Sequence, residues 1–244
     1  MKKILPVVFV LLITSSFSFA ADDKTILMVV TGHDRIDEQH PTGIWLEEFA
    51  IPYEMFVQAG HHVTVASPAG GKAPVDPRSE EGALEKYKPE TLQALESTAS
   101  LDGLELAEFD AVFFPGGHGT MFDLPASERV AKVVTHFIEK DQPAAFVCHG
   151  PAALVNAKRA DGTPVVAGKK ITGFTNDEED AVELTDKMPF LLESKLKELG
   201  AEFSGAPNFQ EHVVVDGNLI TGQNPASSKA AAEALLNRWS VTAD

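Results

Sequence analysis

Short apolar, β-branched runs alternate along this chain with stretches of helical period. Thr25 to Thr31, His62 to Ser67, Asp110 to Pro115 and Ala144 to Cys148 read as strands. The last three follow helical patterns around residues 45–60, 90–97 and 126–140. Such alternation predicts βαβ units and a mostly parallel sheet covered on both faces, an α/β layered fold. Near the C-terminus, His212 to Val215 and Leu219 to Thr221 flank Asp216-Gly217-Asn218 as a hairpin, and Ala226 to Trp239 reads as a closing helix. Pro68 to Pro89, rich in Gly, Pro and charge, reads as an insertion or covering loop. Ligands of parallel sheets sit at the carboxyl ends of the strands. Those ends carry Thr31-Gly32-His33, Pro115-Gly116-Gly117-His118-Gly119 and Cys148-His149-Gly150.

Cys148, the only cysteine, ends an apolar strand and is followed at once by His149-Gly150-Pro151. A nucleophile on a strand-turn-helix elbow is held exposed at the sheet edge. The adjacent imidazole and a helix N-terminus both favour the thiolate, so the thiol pKa is expected below its free value of about 8.5. Burial as an inert core thiol is the competing reading.

Projected at helical period, Ile44, Glu48, Ile51 and Met55 form one row beside Trp45, Phe49, Pro52 and Phe56. This sets Glu48 in the apolar face, whereas Glu47 and Glu54 fall on the polar side. The projection assumes that Pro52 does not restart the helix. Desolvation would raise the pKa of such a carboxylate toward the range of proton transfer. Gly116 and Gly117 let backbone N–H groups approach a ligand closely, as an oxyanion hole requires, and His118 joins them as a substrate-binding candidate.

The N-terminus carries Met1-Lys2-Lys3, an apolar Ile4 to Ile13 and Ser18-Phe19-Ala20. The arrangement predicts a signal peptide, residues 1–20, cleaved after Ala20 and leaving residues 21–244 as one domain. The expected location is exported, periplasmic or secreted, with no membrane insertion after cleavage. A lone cysteine there forms no internal disulfide. The net charge of −16 argues against nucleic acid or an anionic membrane as partner.

Taken together, the motifs resemble the PfpI/DJ-one superfamily of class I glutamine-amidotransferase-like proteins. They are Thr42-Gly43 through Glu48 to Pro52, Ala59-Gly60, Ser67-Pro68-Ala69-Gly70-Gly71 with Asp76, Pro115 to Thr120, Phe146 to Pro151, Thr172 to Asn176 and Thr221 to Ser227. The pattern is most similar to the heat-shock-protein branch, described as glutathione-independent glyoxalases (glyoxalase III), holding chaperones and deglycases. The resemblance implies a flavodoxin-like three-layer sandwich with Cys148 on the nucleophile elbow, His149 as its acid/base neighbour and Glu48 hydrogen-bonded to the thiol. It also implies a carboxylate against the histidine. Glu179 matches best by spacing, within the run Asp177-Glu178-Glu179-Asp180, and Asn224 is carried as a further substrate-side residue.

The implied reaction turns a 2-oxoaldehyde such as methylglyoxal into a 2-hydroxy acid, a lyase of the D-lactate dehydratase class. The oxyanion would be held by the N–H groups of Gly117 and His149. Electrons only shift within the substrate, so no cofactor or metal is expected. A small carbonyl compound is the expected partner, and family members are commonly homodimers. Competing readings are a PfpI-type cysteine peptidase or amidase, and a redox-sensing chaperone whose Cys148 oxidises readily.

Overall fold

The computed structural model describes residues 23–240. The expected signal peptide lies outside them. Seven strands form the central sheet: β1 (Thr25–Val29), β2 (His62–Ser67), β3 (Ala99–Ser100), β4 (Ala111–Phe114), β5 (Ala144–Val147), β6 (Val213–Asp216) and β7 (Leu219–Gly222). Their order is β6-β7-β5-β4-β1-β2-β3, parallel throughout except for the β6–β7 hairpin. β1 lies between β2 and β4, with Ile26 paired to both Val63 and Ala111. Strands β4 and β5 are wholly buried, as expected when helices cover both faces of a parallel sheet.

Helices flank the sheet: α1 (Leu46–Gln58), α2 (Thr120–Asp123), α3 (Glu128–Glu139), α4 (Asn176–Ala181), α5 (Leu192–Glu198) and α6 (Ser228–Ser240). α1 packs against α6, which lies along β5 and β7, whereas α3 packs along β5 and the turn after it. Helix α1 runs unbroken through a buried Pro52. Proline there removes one backbone donor, and the burial of Leu46, Phe49, Ala50 and Phe56 around it offsets that loss. α3 starts at Ser127, whose hydroxyl accepts from the Val130 N–H at 3.2 Å.

Two features differ from the sequence reading. The helical pattern at 90–97 shrinks to Pro89–Gln93, because Ala99–Ser100 is drawn into pairing with β2. The segment Pro68 to Pro89 is more than a covering loop: Val75 bridges Ile44, Gly71 bridges Thr98, and the Asp76 N–H donates to the Ile44 carbonyl at 2.9 Å. It is stitched to the sheet's carboxyl edge and delivers buried Asp76 there. Among the described residues, no helix is long and apolar enough to cross a membrane.

Candidate active site

Strand β5 ends at Val147, and Cys148 turns sharply with φ of 59°. A non-glycine residue rarely adopts this left-handed conformation, and its cost is borne where surrounding bonds over-determine it. The Cys148 N–H donates to the Gly222 carbonyl on β7, and its own carbonyl accepts from the Phe174 N–H, each at 2.9 Å. The chain then enters a 3-10 helix, Gly150–Leu154, rather than the α-helix expected from Pro151. The helix-dipole support for a thiolate is therefore confined to one short turn.

From the thiol a buried hydrogen-bond chain runs outward. Cys148 Sγ lies 3.3 Å from His149 Nδ1, and His149 Nε2 lies 2.7 Å from Glu179 Oε2. The other Glu179 oxygen is 2.9 Å from His118 Nε2. On its far side, His118 Nδ1 lies 3.1 Å from Arg78 Nη2, and Arg78 grips Asp76 through two bonds of 2.9 and 2.6 Å. Thr42 Oγ1 also donates to Asp76, at 2.9 Å. Burial by itself would raise the Glu179 pKa, but electrostatic attraction and hydrogen bonds from the His149 and His118 rings outweigh it and hold the carboxyl well below the usual range. Burial, with the neighbouring His149, pulls His118 down to about 4. Phe174 covers the His149 ring at 4.4 Å between centroids.

Glu48 approaches from α1 and is fully buried. Its Oε2 accepts the Gly116 N–H at 2.7 Å, whereas Oε1 has no ordinary hydrogen-bond partner. The side chain it acts on is the Cys148 thiol. Desolvation raises Glu48 to about 8, and the contacts with Cys148 and Gly116 only partly oppose that rise. Burial and the Glu48 charge in turn push the Cys148 thiol well up, with the Gly117 N–H working the other way. This corrects the expected low thiol pKa: two acids sharing a dry site do not both ionise, so the thiolate forms only when its proton has somewhere to go. The glycine loop sets this geometry. A Cβ on Gly116 would stand 2.6 Å from His149 N and 2.8 Å from Glu48 Oε2; one on Gly117, at φ +101°, would stand 2.3 Å from the Gly43 carbonyl oxygen.

Cys148, His149, Glu48, Glu179, Gly116, Gly117 and His118 thus converge. Within the acidic run, Asp177 and Asp180 are exposed, and Glu178 is turned back onto its own helix start. It closes a capping box with Thr175 and accepts from Phe209 N–H and Asn224 Nδ2, both at 2.8 Å. Asn224 does not take the expected substrate-side place. Its amide donates to Glu178 and to the Gln210 carbonyl, and its Oδ1 accepts from Ser227, so no atom is left for a ligand. Arg78 was missed in the sequence because it lies in a segment without periodicity; its two-residue spacing from Asp76 was the only available signal. His118, His149 and Glu179 are of metal-ligating type, with donor atoms within 4.8 Å, but both Nε2 atoms are engaged by Glu179.

Known proteins resemble this chain over most of its length. The chain is 33% identical over 212 residues to a glutathione-independent glyoxalase of Schizosaccharomyces pombe, covering 80% of this chain and 86% of that protein. The crystal structure of glyoxalase III from Candida albicans superposes with a TM-score of 0.80 at 28% identity, covering 88% of this chain and 96% of that one. The Rapid Encystment Protein of 24 kDa from Francisella tularensis gives 0.83 at 36% identity, covering 88% and 99%. The sequence pattern of the DJ-1/PfpI family matches residues 42–238. The chain belongs to the DJ-1/PfpI family.

Proposed function

We propose that this protein is a glutathione-independent glyoxalase acting on small 2-oxoaldehydes, with methylglyoxal as the test substrate and D-lactate as product. The observation that carries the reading is Glu48: a buried carboxyl with one free oxygen, held against Cys148 and raised to about 8. Such a group gives and takes protons near neutral pH. Relatives named glutathione-independent glyoxalase, and one named glyoxalase 3, support the same reading.

The Cys148 sulfur adds to the aldehyde carbon while its proton passes to His149 Nδ1, and the oxyanion faces the Gly117 and His149 N–H groups. The resulting hemithioacetal loses its C1 proton to Glu48 or His149, giving an enediol. Return of a proton to C2 leaves a 2-hydroxy thioester. Water cleaves the S–C bond, freeing the 2-hydroxy acid and the thiol. C1 is oxidised and C2 reduced within one molecule, so the electrons balance without an external acceptor. Glu179 keeps the His149 imidazole oriented.

Peptide hydrolysis fits less well, because Cys148 is only 4% exposed and a peptide needs an open cleft. The test is lactate formation from methylglyoxal without glutathione, followed by mass spectrometry of the adduct on Cys148. Turnover lost in Cys148→Ala supports the reading. Amide or peptide cleavage in place of lactate overturns it.

A further inference from the structure

Arg78 comes from the Pro68 to Pro89 segment between β2 and β3, and its side chain is still 43% exposed. Its guanidinium lies at the mouth of the site, 5.8 Å from the Trp45 ring centre and 3.1 Å from His118 Nδ1. A guanidinium has donors and no acceptor. The nitrogen it faces must therefore carry a lone pair, which leaves the single proton of a neutral ring on Nε2. That proton points at Glu179 Oε1, 2.9 Å away.

We propose that Arg78 is a positioning residue. By donating to His118 it fixes that ring as the neutral Nε2–H tautomer, and so sets the direction of every hydrogen bond through Glu179 and His149 to Cys148. With His118 donating to one oxygen, Glu179 stays ionised and its other oxygen accepts from His149 Nε2–H. The lone pair of His149 Nδ1 is then left facing the thiol, which is the arrangement a base for Cys148 requires. In the opposite tautomer, His118 Nε2 would turn a lone pair on the Glu179 oxygen, and Glu179 would have to take up a proton to stay bonded. The groups that face His118 are Glu179 from α4, the His149 ring at 4.3 Å and Arg78. Of these, Arg78 and His149 oppose a proton on His118 and Glu179 favours one. Asp76 and Thr42 hold the guanidinium in place.

The experiment is nitrogen-15 NMR of the imidazoles in the full chain, with Arg78→Met and Arg78→Lys alongside. At neutral pH His118 is expected to show a bare Nδ1 and a protonated Nε2. In Arg78→Met it should protonate at higher pH than in the parent and populate both tautomers. The acid limb of kcat/KM should move up in parallel, and kcat should fall roughly tenfold or more with little change in KM. Arg78→Lys, which keeps a cation opposite buried Asp76 and so protects the fold, should recover part of both effects. A protonated Nδ1 or a cationic ring on His118 in the parent overturns the proposal, whether or not Arg78→Met folds. So does an Arg78→Met protein with an unchanged spectrum and pH profile. The activity arm rests on the glyoxalase reading; the spectrum does not, so a chain without glyoxalase turnover would fail that reading and leave the tautomer decided.

Discussion

Glu48 and Glu179 stand at opposite ends of the Cys148–His149 pair and are held in opposite protonation regimes. Glu48, against the thiol, is raised to about 8 by burial; Glu179, despite its burial, is kept well below the usual carboxylate range by two imidazoles. Pairs whose environments push them apart in this way mark division of labour in acid/base sites. Here one carboxyl is suited to moving a proton, and the other to staying charged.

Replacing Glu48 by Gln keeps the shape and the acceptor for the Gly116 N–H but removes the titrating proton. The kcat for methylglyoxal should fall roughly a hundredfold or more, with KM little changed. Glu47→Gln should leave kcat within about a factor of two, since Glu47 is partly exposed and only 3.7 Å from Lys86. Steady-state kinetics of the two variants side by side is the check, and equal losses would refute the proton-transfer role.

The same pair predicts how Cys148 reacts. The Glu48 charge helps push the thiol pKa up, so Glu48→Gln should shift the alkylation profile of Cys148 to lower pH. A profile by iodoacetamide and intact mass that stays in place would show that desolvation alone sets the thiol.

Stability should depend on pH with two opposing contributions. Glu48 titrates near 4.5 when unfolded and near 8 when folded, so the folded state binds more protons between these values. Its contribution is fully present below about 4.5 and lost as pH rises through about 8, a span worth a few kcal/mol. Glu179 has the reverse sign, because its folded value is depressed: its contribution is present at neutral pH and lost as pH falls into the acid range. Urea unfolding across pH should therefore show Glu48→Gln flattening the alkaline limb and Glu179→Gln flattening the acid limb. The reverse assignment would contradict the geometry.

Asn224→Ala should separate structure from chemistry. It removes one of the donors to the buried Glu178 carboxylate, which keeps those from Phe209 and Thr175, and the side-chain donor to the Gln210 carbonyl, at a cost of about 1 kcal/mol. Below the lowered Tm, KM should be unchanged. A rise in KM without loss of stability would return Asn224 to the substrate side.

The alternation of apolar runs and helical periods made the parallel sheet legible, because both periodicities are local. The same was true of Cys148, marked by a strand that stops at a thiol before Gly and Pro. Glu48 was chosen over Glu47 because a 100° step per residue separates an apolar face from a polar one. The two faces stay separate past Pro52 because tertiary packing holds the helix through it. Local pattern could not decide between Glu178 and Glu179. They are sequence neighbours on one short helix, and what sends one to the helix cap and the other to His149 is how the fold sets α4 beside the turn that carries His149 and the loop that carries His118. Nor could it find Arg78, which meets His118 across 40 residues of chain, or the bond between His118 and Glu179 across 61. The thiol's titration is not legible in the sequence for a related reason: the sequence shows the histidine beside Cys148, but not the dry enclosure or the second acid that the fold brings to it. Composition and periodicity determine which faces are buried and therefore the layers of the fold. Which polar groups meet inside those layers, and with what charge, is decided by long-range packing that excludes water.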